Sequence, residues 1–189
     1  MKISRMRIPL LGIFLSLLCG GWVSSAELAV EKSIPLFDPA TPSASGWMGT
    51  SGSNVSTGAQ AKIEGKKMVV TGSLPNQSYG NIYRSLEVDL DETPYMELDA
   101  ESATHNWYLI LKGDQLPSGF VRIQPDTTQI GVMRYDLRLV TGLSGKQSFK
   151  EIQLGISTDG SAGNNGHKLV INRFRLYAPK GGEIGRAHV

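Results

Sequence analysis

The feature that most constrains this chain is strict two-residue alternation in short runs. Residues 84–90 put Leu86, Val88 and Leu90 on one side and Ser85, Glu87 and Asp89 on the other. After a Pro-containing turn at 91–94, residues 95–101 repeat the pattern with Met96, Leu98 and Ala100. Residues 106–112 place Trp107, Leu109 and Leu111 together, and residues 120–124 pair Val121 with Ile123. Residues 132–139 align Met133, Tyr135, Leu137 and Leu139, and residues 151–156 align Ile152, Leu154 and Ile156. Successive side chains of a strand point to opposite faces, so each run predicts a strand with one buried face. A first strand over 33–37, a hairpin over 62–70 turning at Gly65 and a closing strand over 168–177 bring the total to roughly ten. No stretch sustains a helical repeat for the roughly 12 residues that a credible helix needs.

One-sided strands can bury their apolar faces only by stacking two sheets or closing a barrel. Long Gly-, Ser- and Asn-rich connections at 41–58, 72–80 and 159–166 suit the ends of a sandwich. The reading is all-β: a two-sheet antiparallel β-sandwich of jelly-roll type. The expected core is Leu86, Val88, Leu90, Met96, Leu98, Trp107, Leu109, Leu111, Tyr135, Leu137, Ile152 and Leu154.

The two ends read differently from the middle. Lys2, Arg5 and Arg7 precede an apolar segment at 8–18, and Ser24-Ser25-Ala26 supplies the small residues of a cleavage site. Residues 1–26 therefore read as a signal peptide, the product as secreted or periplasmic, and no membrane association is expected after cleavage. The sole cysteine, Cys19, lies in that segment, which leaves residues 27–182 without a disulfide or a thiol. Setting the three early cations aside leaves 16 Lys and Arg against 17 Asp and Glu, a balance that predicts no nucleic-acid partner. Residues 183–189, Glu-Ile-Gly-Arg-Ala-His-Val, match the translation of a common sequencing-adapter start whose next codon is a stop. They read as an adapter tail, and residues 27–182 as the first module of a longer exported protein.

The order of motifs in the middle carries a family resemblance. A strand ending Val88-Asp89-Leu90 is followed by Pro94-Tyr95 and a strand, then by the Trp107 strand. Asp126-Thr127, Gly131 and Tyr135-Asp136-Leu137 come next, and Val170-Ile171-Asn172-Arg173-Phe174-Arg175-Leu176 closes the series. This resembles the galactose-binding-like jelly-roll modules, similar to carbohydrate-binding modules, of secreted bacterial polysaccharide-degrading enzymes. The resemblance implies a noncatalytic sugar-binding module, a polysaccharide or oligosaccharide partner and a downstream catalytic domain. Some relatives hold a structural calcium. Asn172 stands where the closing strand often carries Asp, and the loop at 159–166 offers Asp159 alone, so neither metal nor cofactor is expected.

Sugar recognition pairs a flat apolar ring with planar polar groups. Parity puts Tyr108 opposite Trp107 and Leu109, Arg122 and Gln124 opposite Val121 and Ile123, and Arg134 opposite Met133 and Tyr135. If strands consecutive in sequence pair, these outer residues line one groove. Tyr108, Arg122, Gln124 and Arg134 are therefore the expected carbohydrate contacts, with Trp47 and Tyr83 at the rim. No nucleophile elbow, HExxH zinc pair or phosphate-binding loop occurs, and His105 and His167 share no carboxylate spacing that would bind metal. The expectation is no enzyme activity in this stretch. Two alternatives stand: a bracing or interaction sandwich without a sugar site, and a small exported glycoside hydrolase or lyase.

Overall fold

The computed structural model describes residues 29–49, 59–72, 79–143, 148–157 and 166–181. The expected signal peptide and adapter tail lie outside these residues. Within them run β1 (Val30–Phe37), β2 (Met48–Gly49), β3 (Gln60–Glu64), β4 (Lys67–Gly72), β5 (Tyr79–Asp89), β6 (Tyr95–Ala103), β7 (Trp107–Lys112), β8 (Phe120–Thr127), β9 (Gly131–Asp136), β10 (Ser148–Ser157) and β11 (His167–Pro179).

The strands form two antiparallel sheets. The first has the order β3-β4-β11-β6-β9, with β1 on the same edge of β11 as β4, further along the strand. The second has the order β2-β5-β10-β7-β8. From β4 onward the chain crosses repeatedly between sheets: β5 joins the second, β6 the first, β7 and β8 the second, β9 the first, β10 the second and β11 the first. This is the two-sheet antiparallel sandwich that the alternation predicts.

The alternating apolar residues meet between the sheets. Val88, Leu90, Met96, Leu98, Trp107, Leu109, Leu111, Leu137, Ile152 and Leu154 are buried in one core, and Leu86 and Tyr135 pack against it half-exposed. Gly65, with φ of 62°, makes the β3–β4 turn that its sequence position predicts. The β5–β6 turn is fixed by the Asp89 carbonyl, which accepts from the Thr93 amide at 3.0 Å, and by the Asp89 side chain, which accepts from the Asp91 amide at 2.8 Å.

One inward placement read from the alternation of residues 132–139 fails. Leu139 is 76% exposed, because β9 ends at Asp136 and the chain enters a 3-10 turn over Leu137–Leu139. The Asp136 carboxylate caps that turn by accepting from the Arg138 amide at 3.1 Å. Alternation stops at the cap, so Leu137 turns inward and Leu139 does not.

Candidate functional site

The outer face of the second sheet is a grid whose rows follow from strand register. One row places Asn81 of β5 beside Gly155 of β10 and Tyr108 of β7. The next runs Met48 (β2), Tyr83 (β5), Gln153 (β10), Ile110 (β7) and Arg122 (β8). A third holds Ser85, Glu151, Lys112 and Phe120. Tyr79 lies at the opposite end, beside Ser157.

Tyr108 is the centre of this face, in an unexpected state. Its ring lies flat across Gly155: a Cβ at that glycine would fall 1.9 Å from the Tyr108 Cζ. The Arg122 guanidinium sits 4.3 Å from the ring centroid, and Tyr108 is only 2% exposed. The Tyr108 hydroxyl donates to Asn81 Oδ1, and Asn81 Nδ2 donates to Gln153 Oε1 at 2.9 Å. Gln153 Nε2 in turn donates to Glu151 Oε1 at 2.6 Å, and Lys112 Nζ lies 3.4 Å from that carboxylate. All three donations run toward the carboxylate. Each bond therefore polarises the next, and the array is held in one orientation.

The accessible apolar groups lie around this network. Met48 is 48% exposed, Tyr79 45% and Phe120 46%, while Tyr83 is half-buried. Tyr79 and Phe120 are at opposite corners. The grid separates them by three strand spacings, about 14 Å, and by six residues of strand, about 20 Å. The face thus offers aromatic corners and the solvent-reaching charged groups Glu151, Lys112 and Arg122, underlain by a fixed array of the buried Tyr108, Asn81 and Gln153.

Of the six expected contacts, the structure brings Tyr108, Arg122 and Tyr83 onto this face and takes three elsewhere. Arg134 lies on the first sheet, because β9 crosses to pair with β6. There its Nε donates to Glu97 at 2.8 Å. Gln124 is buried and accepts from the Tyr135 hydroxyl, whose pKa burial raises above its ordinary value. The β7–β8 register shifts between Ile110 and Leu109, so Arg122 faces Ile110 while Gln124 faces Leu109. A bulge at this point reverses the expected parity of Gln124. Trp47 belongs to the core: its ring stacks on Phe174 at 6.0 Å and its Nε1 donates to the Leu36 carbonyl at 3.0 Å.

Gln153, Glu151 and Gly155 escaped the sequence reading. Their outward parity on β10 was legible, but their place between Asn81 and Tyr108 depends on β10 inserting between β5 and β7. His105 and His167, distant in sequence, meet with ring centroids 3.8 Å apart and the rings tilted by 37°. Among the described residues no three His, Cys, Asp or Glu side chains group as a metal site. No helix among them is long and apolar enough to cross a membrane.

No family model matches this sequence, and no curated protein matches it. Solved structures do. The family 11 carbohydrate-binding module of the cellulosomal cellulase Lic26A-Cel5E of Clostridium thermocellum superposes with a TM-score of 0.52 at 16% identity, over 83% of this chain and 98% of that one. A family 11 module from Clostridium thermocellum in complex with a β-1,3-1,4-mixed-linked tetrasaccharide gives the same score and identity, over 81% and 98%. The fold of this chain is therefore the jelly-roll sandwich that carbohydrate-binding modules use, as the sequence resemblance implies.

Proposed function

We propose that this chain is a noncatalytic carbohydrate-binding module and that the outer face of the second sheet is its glycan face. The observation that carries the reading is the grid itself, with exposed Tyr79, Phe120 and Met48 around an oriented Tyr108–Asn81–Gln153–Glu151 array. Exposed aromatic rings suit the C–H faces of pyranose rings, and the solvent-reaching charged groups Glu151, Lys112 and Arg122, held in place by the buried amides beneath, suit their hydroxyls. The separation of the corners favours several units of an extended chain over a single sugar. The shared fold with a family 11 module supports the class but transfers no residue.

Each hydrogen bond replaces one to water and nets only about 0.5–1.5 kcal/mol. Affinity in the millimolar to micromolar range is expected, roughly 4–8 kcal/mol of binding free energy. A module of that strength acts by tethering, which fits the proposed setting: export directed by residues 1–26, and a catalytic domain downstream that gains local substrate concentration.

Affinity electrophoresis against a polysaccharide panel that includes mixed-linkage β-glucan tests the reading, with calorimetry on the corresponding oligosaccharides. Retardation that Tyr79→Ala and Phe120→Ala each weaken supports it. The burial of Tyr108 beneath Arg122 favours a second reading, a bracing sandwich whose face is already filled. Absence of binding across the panel selects that reading.

A further inference from the structure

The outer face of the first sheet carries a second polar site, unrelated to the glycan face. At one row, three adjacent strands present Arg134 (β9), Glu97 (β6) and Arg175 (β11). Glu97 is 3% exposed. One carboxylate oxygen takes Arg134 Nε at 2.8 Å and the other takes Arg175 Nη2 at 3.0 Å. Two guanidinium charges thus meet one carboxylate.

The adjoining rows do not remove the surplus. On one side Arg138 is held in a two-point contact by Asp136, at 2.9 and 2.7 Å, and that pair is neutral. On the other side Asp99 and Arg173 are cross-strand neighbours of opposite charge. A net charge of +1 therefore stays centred on the Arg134–Glu97–Arg175 row.

A second observation points the same way. Tyr177 is fully buried, and its hydroxyl has no hydrogen-bond partner. The buried Nε of Arg175 has none either. The Tyr177 ring lies 5.1 Å from the Arg175 guanidinium, and Glu97 and Arg134 both act electrostatically on its hydroxyl. Burial, with the Glu97 charge adding to it, raises the pKa of this hydroxyl above its ordinary value, so it remains an O–H donor. Buried donors without partners are rare in folded proteins and costly.

We propose that the Arg134–Glu97–Arg175 row with Tyr177 is a binding site for one carboxylate monoanion. The surplus is a single charge, which matches a carboxylate and not a phosphate dianion. Planar guanidinium forks match a planar carboxylate, and the Arg134 side chain, 37% exposed, gives the anion its approach. Glu97 holds the two arginines in place and is not itself the acceptor for the ligand.

The test is a titration of the full chain with sodium acetate and with sodium glucuronate. Ionic strength is held constant with sodium chloride, and the arginine Nε–H resonances are followed by NMR. The site predicts saturable shifts at Arg134 and Arg175. Arg134→Gln leaves a balanced Glu97–Arg175 pair and removes the saturable response. Tyr177→Phe weakens acetate binding by about tenfold, the effect of losing one charge-assisted hydrogen bond. It leaves the melting temperature unchanged or higher, because it deletes a buried hydroxyl that has no partner. Should Arg134→Gln fail to fold, Tyr177→Phe carries the test alone. Tighter binding of glucuronate makes the ligand a sugar acid. Equal binding makes the carboxylate the whole determinant, and either outcome supports the site. Shifts that grow linearly without saturating, a saturable response that survives Arg134→Gln, or an acetate affinity that Tyr177→Phe leaves unchanged overturns it.

Discussion

Gly155→Ala is the substitution whose outcome the glycan face fixes most tightly. Alone, it is expected to help slightly: glycine inside a strand costs about 0.5–1 kcal/mol relative to alanine. Gly155 requires no left-handed backbone, since it is absent from the positive-φ glycines. The Tyr108 ring reverses the sign. The new methyl would stand 1.9, 2.1 and 2.5 Å from three ring carbons, too close for any small adjustment. Displacing the ring forfeits the hydrogen bond to Asn81, about 0.5–1.5 kcal/mol. It also forfeits the Arg122 contact, about 0.5–1 kcal/mol. Part of the ring's burial is lost as well, and if the ring stays the overpacking costs about 1–3 kcal/mol. Set against the alanine gain, a net loss of about 1–3 kcal/mol follows. Urea unfolding would show it as a lower midpoint at unchanged slope. The control is the same change in a Tyr108→Ala background, where the ring carbons that clash with the methyl are gone and Gly155→Ala becomes neutral or mildly stabilising. A coupling near 2 kcal/mol or more is expected between the two sites. Equal costs in both backgrounds would refute the ring-on-glycine geometry, and with it the central feature of the face.

Other substitutions test other parts of the account. Trp47→Ala should destabilise by about 3–5 kcal/mol, because it empties a core position beside Phe174; a thermal melt within a degree or two of the parent would return Trp47 to the surface. Leu109→Ala should cost about 2–5 kcal/mol by the same route, read by chemical denaturation. Asp136→Asn should cost about 0.5–1 kcal/mol at neutral pH through loss of the charged contact with the half-exposed Arg138, because asparagine can still cap the turn. The Arg138 hydrogen bond holds the Asp136 pKa below its ordinary value, so its contribution is present above the ordinary carboxylate range and fades as pH falls through the lowered folded pKa. Parent and Asp136→Asn melting curves should therefore converge in acid, and a gap that stays constant or widens there would contradict the sign.

Strand parity was legible wherever a run stayed in one sheet without a bulge. Parity places Tyr108 and Arg122 outward, and the core positions from Val88 to Leu111 inward, as the structure has them. What alternation cannot carry is the sheet to which a strand belongs. Arg134 has the right parity but the wrong sheet, since β9 pairs with β6 and not with β8. Nor does alternation announce a bulge: one extra residue in β8 turned Gln124 from Arg122's side toward Tyr135. Trp47 sat in a stretch rich in Gly and Ser that reads as loop, yet its ring packs on Phe174 of β11, a contact far away in sequence. The role of Tyr108 changed for a different reason. An outward tyrosine reads as a stacking platform only when nothing covers it, and here Arg122 from the neighbouring strand does. The accessible aromatics are instead Tyr79 and Phe120 at the corners, where strand ends leave rings without cross-strand cover.

The central claim is that a glycan chain lies across the outer face of the second sheet. A two-dimensional NMR titration of the full chain with β-1,3-1,4-mixed-linked tetrasaccharide tests it most directly, followed by the other oligosaccharides of the panel if that one is silent. The account predicts saturable shifts of the Asn81 and Gln153 side-chain amides, the Arg122 Nε–H and the Tyr79 and Tyr83 backbone amides. The Arg134 and Arg175 resonances of the first sheet should stay in place with these uncharged ligands. Saturable shifts confined to the first sheet, or none with any oligosaccharide, would contradict it.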